Sequence, residues 1–189
     1  MDNEGEWDAK DKFQKLIKGR NYLTAATVYP ELYEWHKSWI ETMKSGDKWD
    51  LRFLRMAREV ASWSKDPSTK VGAVIADGKR FVCTGFNGFP EGDADKVEDY
   101  TNRDIKLSKI IHAENNAIMF ATESLKGFTM YTWPLMPCAH CASMIVQKKL
   151  KRVVSVLNDN PRWQDSFKIT RESLEKNGVE LVLYTPEAL

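Results

Sequence analysis

Val71-Gly72-Ala73-Val74-Ile75-Ala76-Asp77-Gly78-Lys79-Arg80-Phe81-Val82-Cys83-Thr84-Gly85-Phe86 is the stretch on which the fold turns. Val71 to Ala76 and Arg80 to Phe86 read as two strands, joined by Asp77-Gly78-Lys79. Asp-Gly supplies the positive φ angles of a tight hairpin turn, so the two runs pair as neighbours. Upstream, Leu51, Leu54, Ala57 and Ala61 recur at the spacing of one helical face, with Asp50 as the expected cap and a break at Asp66-Pro67. Downstream, residues 87–106 form a polar loop, and helices are expected at about 113–125, 139–149 and 164–177, the last ended by Gly178. Strands are expected at Thr129 to Thr132, Arg152 to Val156 and Val179 to Leu183. A hairpin followed by alternating helix and strand predicts one sheet with helices on both faces.

The chain has 189 residues, with 28 Lys+Arg against 27 Asp+Glu, for a formal charge of +1. That length favours one compact domain, and 42% apolar with 29% charged residues is a globular composition. Near-neutral charge argues against a surface for polyanions, which needs an excess of Lys and Arg, so nucleic acid is not an expected partner. No stretch approaches the ~18 apolar residues of a membrane helix. Residues 1–48 read as an aromatic-rich N-terminal helical extension with a helix over Pro30 to Met43, a packing or oligomer-contact segment. Residues 49–189 then form the catalytic domain. The N-terminus lacks a basic or apolar leader pattern, and three cysteines make no even disulfide framework, so the expected location is the cytoplasm. In a reducing compartment Cys138 and Cys141 read as metal ligands or a redox pair.

Two motifs carry chemistry together. His112-Ala113-Glu114 enters a helix, and Pro137-Cys138-Ala139-His140-Cys141 opens the next. Cysteines three apart at a helix start project from one side, where the helix N-terminus favours thiolates. One imidazole and two thiolates are three ligands for zinc, which leaves a fourth position for water, as in catalytic rather than structural sites. Glu114, two residues after the histidine, is placed to act as general acid and base. His140 reads as solvated, His36 as a packing residue and Cys83 as core.

His-x-Glu followed by Pro-Cys-x-x-Cys is the signature of zinc nucleobase deaminases. The sequence resembles that superfamily over roughly residues 50–185, and within it the deoxycytidylate (dCMP) deaminase branch. Lys65-Asp66-Pro67-Ser68-Thr69-Lys70-Val71-Gly72-Ala73-Val74, Gly85-Phe86-Asn87-Gly88-Phe89-Pro90-Glu91-Gly92 and His112-Ala113-Glu114-Asn115-Asn116-Ala117-Ile118 add to the zinc motifs. The resemblance implies a three-layer α/β/α cytidine-deaminase-like fold with a mixed sheet of about five strands. It implies hydrolysis of dCMP to dUMP and ammonia, with zinc on His112, Cys138 and Cys141 and with Glu114 moving protons. By the same resemblance Asn87 meets the sugar hydroxyl, the Ala113 N–H faces the pyrimidine carbonyl, and Lys70 with Thr69 meets the 5′-phosphate. The resemblance also implies a homo-oligomer, in such families often of six subunits.

Trp133 either lines the pocket or packs as core, and Arg162-Trp163 marks a turn that could face substrate. Arg103, Lys106 and Lys109 form a basic run before His112, either a solvated face or a source of phosphate contacts. The approach Tyr131-Thr132-Trp133-Pro134-Leu135-Met136-Pro137-Cys138 is one residue longer than the common family form, which leaves base selectivity open. Glu91 stands where regulated relatives carry a basic residue, so control by dCTP and dTTP is not carried over. Two rival readings stand beside this one: another deaminase of the superfamily, acting on tRNA adenosine, cytidine or another cytosine nucleotide, and a non-catalytic nucleotide-binding subunit with structural zinc.

Overall fold

The computed structural model describes Lys12 and residues 47–189, and the compact unit treated below is Asp47–Leu189. The expected N-terminal helix and its aromatic contacts lie outside the described residues.

Helix α1 (Lys48–Ser62) precedes a hairpin of β1 (Gly72–Asp77) and β2 (Arg80–Phe86). Then come α2 (Val97–Thr101), α3 (Arg103–Lys109), α4 (Ala113–Phe120), β3 (Thr129–Trp133), α5 (Ala139–Gln147) and β4 (Arg152–Val156). A 3-10 turn (Pro161–Trp163), α6 (Gln164–Lys176), β5 (Glu180–Tyr184) and a short 3-10 turn (Pro186–Ala188) complete the unit. The sheet order is β2-β1-β3-β4-β5, with β1 antiparallel to both β2 and β3, and β3, β4 and β5 mutually parallel. The mixed five-stranded sheet is the one expected, and Gly78 takes the left-handed φ of 57° that the hairpin turn requires.

Side-chain alternation divides the sheet into two apolar faces. Val74, Ala76, Tyr131, Val154 and Val182 pack against Phe53, Leu54, Ala57 and Val60 of α1. On the other face Ala73, Ile75, Met130 and Val153 meet Ala113, Ala117 and Ile118 of α4, Ala142 and Ile145 of α5, and Leu174 of α6. The layers are therefore α1, sheet, and α4–α5–α6. Among the described residues no helix is long and apolar enough to cross a membrane.

Three local expectations are corrected. Asp47, not Asp50, caps α1, accepting a hydrogen bond from Trp49 N at 2.7 Å. Asp50 is buried instead, gripped by Arg152 Nη1 and Nη2 at 2.6 and 2.8 Å and receiving the hydroxyls of Tyr131 at 3.1 Å and Tyr184 at 2.9 Å. Burial, with Asp50 beside them, pushes the hydroxyl pKa of both tyrosines up, so they stay protonated and serve as donors. Next, the polar stretch 87–106 contains α2 and the start of α3, short helices that hydropathy does not signal, because α3 buries none of its residues. Finally, α4 ends at Phe120. Beyond it, Glu123 is drawn to Arg80 at 2.8 and 3.0 Å while Leu125 turns into the core.

Candidate active site

The cavity lies beyond the carboxyl ends of the parallel strands β3 and β4, where open α/β sheets place their ligand sites. Because β1 runs antiparallel to β3, its amino end arrives at the same edge, Gly72 pairing with Trp133 and with Phe86 of β2. One side of the cavity is Asp66, Thr69, Val71 and Asn87, and a second is Lys106, Leu107 and Ile110. A third is Leu135, Met136, Arg162, Trp163 and Phe167, with His112, Ala113, Glu114 and Cys138 completing the lining.

Two helix starts bring the chemistry together. Gly88 and Ile111 form an isolated antiparallel bridge, N–H to O at 3.1 and 2.9 Å, which delivers His112 to the N-cap of α4. Gly85 of β2 lets α4 lie close, since a Cβ there would stand 2.3 Å from Ala117 N and 2.5 Å from Ala113 O. Asn116 Nδ2 donates to Phe86 O at 2.7 Å and holds the helix on that strand. Cys138 caps α5, and α6 fixes its approach: Ala139 N donates to Ser166 Oγ at 3.0 Å, and Thr170 Oγ1 donates to Pro137 O at 2.9 Å.

His112 Nδ1 lies 3.5 Å from Cys138 Sγ and 3.4 Å from Cys141 Sγ, and one ligand atom from each residue lies within 4.8 Å of the others. A tetrahedral ion bonded at about 2.3 Å to sulfur and about 2.05 Å to nitrogen sets N···S edges of about 3.5 Å. The observed separations match that, and the soft nitrogen and sulfur set suits such an ion. The electrostatics agree. The Cys138 thiol is pushed down to about 4 by its hydrogen bond with Cys141, against burial, and with help from His112. Cys141 is pushed the other way, by that same contact and by burial. Burial also pushes the Glu114 carboxyl up from its ordinary value.

The Asp66 side of the cavity is a built polar structure. Asp66 Oδ1 accepts Ser68 N at 2.9 Å and Thr69 N at 3.2 Å, folding the Asp-Pro-Ser-Thr stretch into an Asx turn. Asn87 Nδ2 donates to Asp66 Oδ2 at 3.1 Å and to Thr69 O at 2.9 Å, while Asn87 Oδ1 accepts Val71 N at 2.7 Å. Lys106 Nζ closes on Asp66 at 2.7 Å. Burial works to raise the Asp66 carboxyl, but Lys106, Ser68 and Thr69 hold it below its ordinary value.

A family model for the cytidine and deoxycytidylate deaminase zinc-binding region matches residues 47–157, which include His112, Glu114, Cys138 and Cys141. The chain belongs to this deaminase family. An uncharacterized deaminase of Aliivibrio fischeri is 41% identical over 137 residues, covering 71% of this chain and 92% of that protein. Human deoxycytidylate deaminase is 34% identical over 149 residues, covering 74% and 82%. Among solved structures, the dCMP deaminase of cyanophage S-TIM5 in complex with dCMP and dUMP superposes with a TM-score of 0.57 at 25% identity, over 70% of this chain and 94% of that one.

For this deaminase, the structure brings His112, Ala113, Glu114, Cys138, Asn87 and Thr69 to one cavity. It does not bring Lys70 or Trp133 there. Lys70 is exposed, its Nζ 3.4 Å from Ser62 O, because it points away from a turn whose neighbour Thr69 faces in. Trp133 shares a strand face with Tyr131 and therefore packs on the α1 side, with the Arg58 guanidinium 5.5 Å from its ring. The sequence reading missed the Asp66 turn, treating it as a mere helix break. An acid followed at two and three positions by Ser-Thr is the signal that marks it.

Proposed function

We propose that this protein hydrolyses dCMP to dUMP and ammonia. The observation that carries the reading is Glu114, buried in the same cavity as the His112–Cys138–Cys141 group. The relatives named deoxycytidylate deaminases support dCMP as the substrate.

His112, Cys138 and Cys141 would hold zinc, which supplies Lewis-acid activation of a water molecule when bound. The chain's own residues do the rest. Glu114, with its proton affinity raised by burial, accepts a proton from water on a carboxylate oxygen. It passes that proton to ring N3 and later serves the departing amino group. The Ala113 N–H, in the first turn of α4, faces the pyrimidine carbonyl. Asn87 keeps one lone pair on Oδ1 beyond the bond from Val71 N, and this accepts the sugar hydroxyl. Trp163, Phe167, Met136 and Ile110 provide apolar surface for the ring and exclude water from it. A homo-oligomer belongs to the same proposal, and Met119 and Phe120, exposed on α4, support it.

The test is a panel of cytosine nucleotides assayed for ammonia, with dUMP quantified by chromatography and metal content measured on the same sample. The expected outcome is release from dCMP by protein holding about one zinc per chain, loss of release on chelation, and a loss of about 1,000-fold or more in Glu114→Gln with metal retained. Zinc-replete protein that forms no dUMP, or Glu114→Gln as active as the unaltered protein, sinks the proposal.

A further inference from the structure

Given the deamination of a nucleotide proposed above, some cation must meet the phosphate; among the described residues Lys106 and Arg162 line the cavity and Lys70 adjoins its Thr69 side. Lys70 is outside it. Lys106 lines it, but its three ammonium hydrogens already face three acceptors: Asp66 Oδ1 at 2.8 Å, Asp66 Oδ2 at 2.7 Å and Ser68 Oγ at 2.6 Å. With Asp66 buried beside it, that pair contributes no net charge and no free donor.

Arg162 differs on each count. It lines the cavity from the turn Pro161–Trp163 and is exposed. Among the described residues no carboxylate pairs with it; its guanidinium lies 5.2 Å from the ring of Trp163. The backbone beneath it is held: Asn160 Oδ1 accepts Arg162 N at 3.0 Å, and Gln164 Nε2 donates to Asn158 O at 3.2 Å and Asn160 O at 3.1 Å. Trp163 stacks at 6.4 Å on Phe167, so an open guanidinium fork stands at the edge of an aromatic wall. Such a fork binds two oxygens of a phosphate at once, which an ammonium does not.

We propose that Arg162 is the residue by which this enzyme selects a 5′-monophosphate over the bare nucleoside, and that Lys106 serves as the clasp of Asp66. Arg162 sits on the surface, so its replacement leaves the core untouched. The experiment compares kcat/KM for dCMP and for deoxycytidine in the unaltered enzyme, Arg162→Gln, Arg162→Lys and Lys70→Ala. In parallel, calorimetry measures binding of the same two molecules to Glu114→Gln with and without Arg162→Gln. The dCMP to deoxycytidine ratio should fall about 100-fold in Arg162→Gln, carried mainly by KM, and about 10-fold in Arg162→Lys, which keeps charge but loses the fork. Lys70→Ala should stay within about twofold, as expected of an exposed side chain away from the site. The assignment is overturned if Arg162→Gln weakens both molecules equally, or if Lys70→Ala moves the ratio as far. An unaltered enzyme that releases no ammonia from dCMP refutes the functional reading, while the calorimetric comparison still judges Arg162.

Discussion

Replacing Gly85 with alanine tests whether strand β2 sets the position of Glu114, the carboxylate proposed to carry the proton. The new Cβ would stand 2.3 Å from Ala117 N and 2.5 Å from Ala113 O, both backbone atoms of α4. Ordinary contact begins at 3.4 Å, so the helix must retreat by roughly 1 Å. Neither partner is a flexible side chain that can swing aside. The residues displaced are Ala113, Glu114 and, through the cap of α4, His112. Overpacking of this kind costs about 1–3 kcal/mol of stability, and a shift of about 1 Å at reacting groups costs about 100-fold in rate. The expected outcome is a fall of about 100-fold in kcat/KM for dCMP, together with reduced zinc retention and a melting temperature lower by several degrees. Zinc content by emission spectroscopy and melting by circular dichroism accompany the ammonia assay. Activity within twofold of the unaltered enzyme at unchanged zinc content would refute the reasoning, because the helix would then have absorbed the methyl group without moving the site.

Two further perturbations follow from the buried carboxylates. Arg152→Met strips the bidentate partner from Asp50 and leaves a buried charge with two tyrosine hydroxyls, a loss of about 3–5 kcal/mol. Asp50→Leu combined with Arg152→Met should recover much of it; urea unfolding of the single and double variants decides, and a single variant within about 1 kcal/mol of the parent contradicts the network's role. Asp66 is held below its ordinary ionisation value, so its contribution is fully present above the unfolded value of 3.8 and is lost as pH falls through the lower folded value. Asp66→Asn should therefore be destabilising by about 2 kcal/mol at pH 6. That difference should shrink steadily below about pH 4. A difference that stays constant from pH 6 to pH 3 would mean that the Lys106 contact carries no weight.

Much of the fold was legible because its signals are local. The two short runs Val71 to Ala76 and Arg80 to Phe86, with Asp77-Gly78 between them, specify a hairpin without reference to the rest of the chain, and the hairpin is observed. The one-sided spacing of Leu54, Ala57 and Ala61 likewise specifies the buried face of α1. Where polar residues decide, local pattern fails. Asp50 has the composition of a cap, yet it is buried because Arg152, Tyr131 and Tyr184, distant in sequence, converge on it. Helices α2 and α3 escaped notice because their hydrogen bonds and caps, such as Asn102 accepting Asp104 N, leave no apolar period behind.

The sequence alone was enough to single out the groups proposed to react. His112, Glu114, Cys138 and Cys141 sit within two short helix-opening motifs, where spacing by itself sets which side chains share a face. Which cations meet the cavity was decided only by tertiary structure. Lys70, Lys106 and Arg162 carry the same charge in the sequence. One is turned outward, one is neutralised by Asp66 and one meets no carboxylate among the described residues, because orientation and pairing depend on segments about 40 to 100 positions apart that the sheet brings to a single edge.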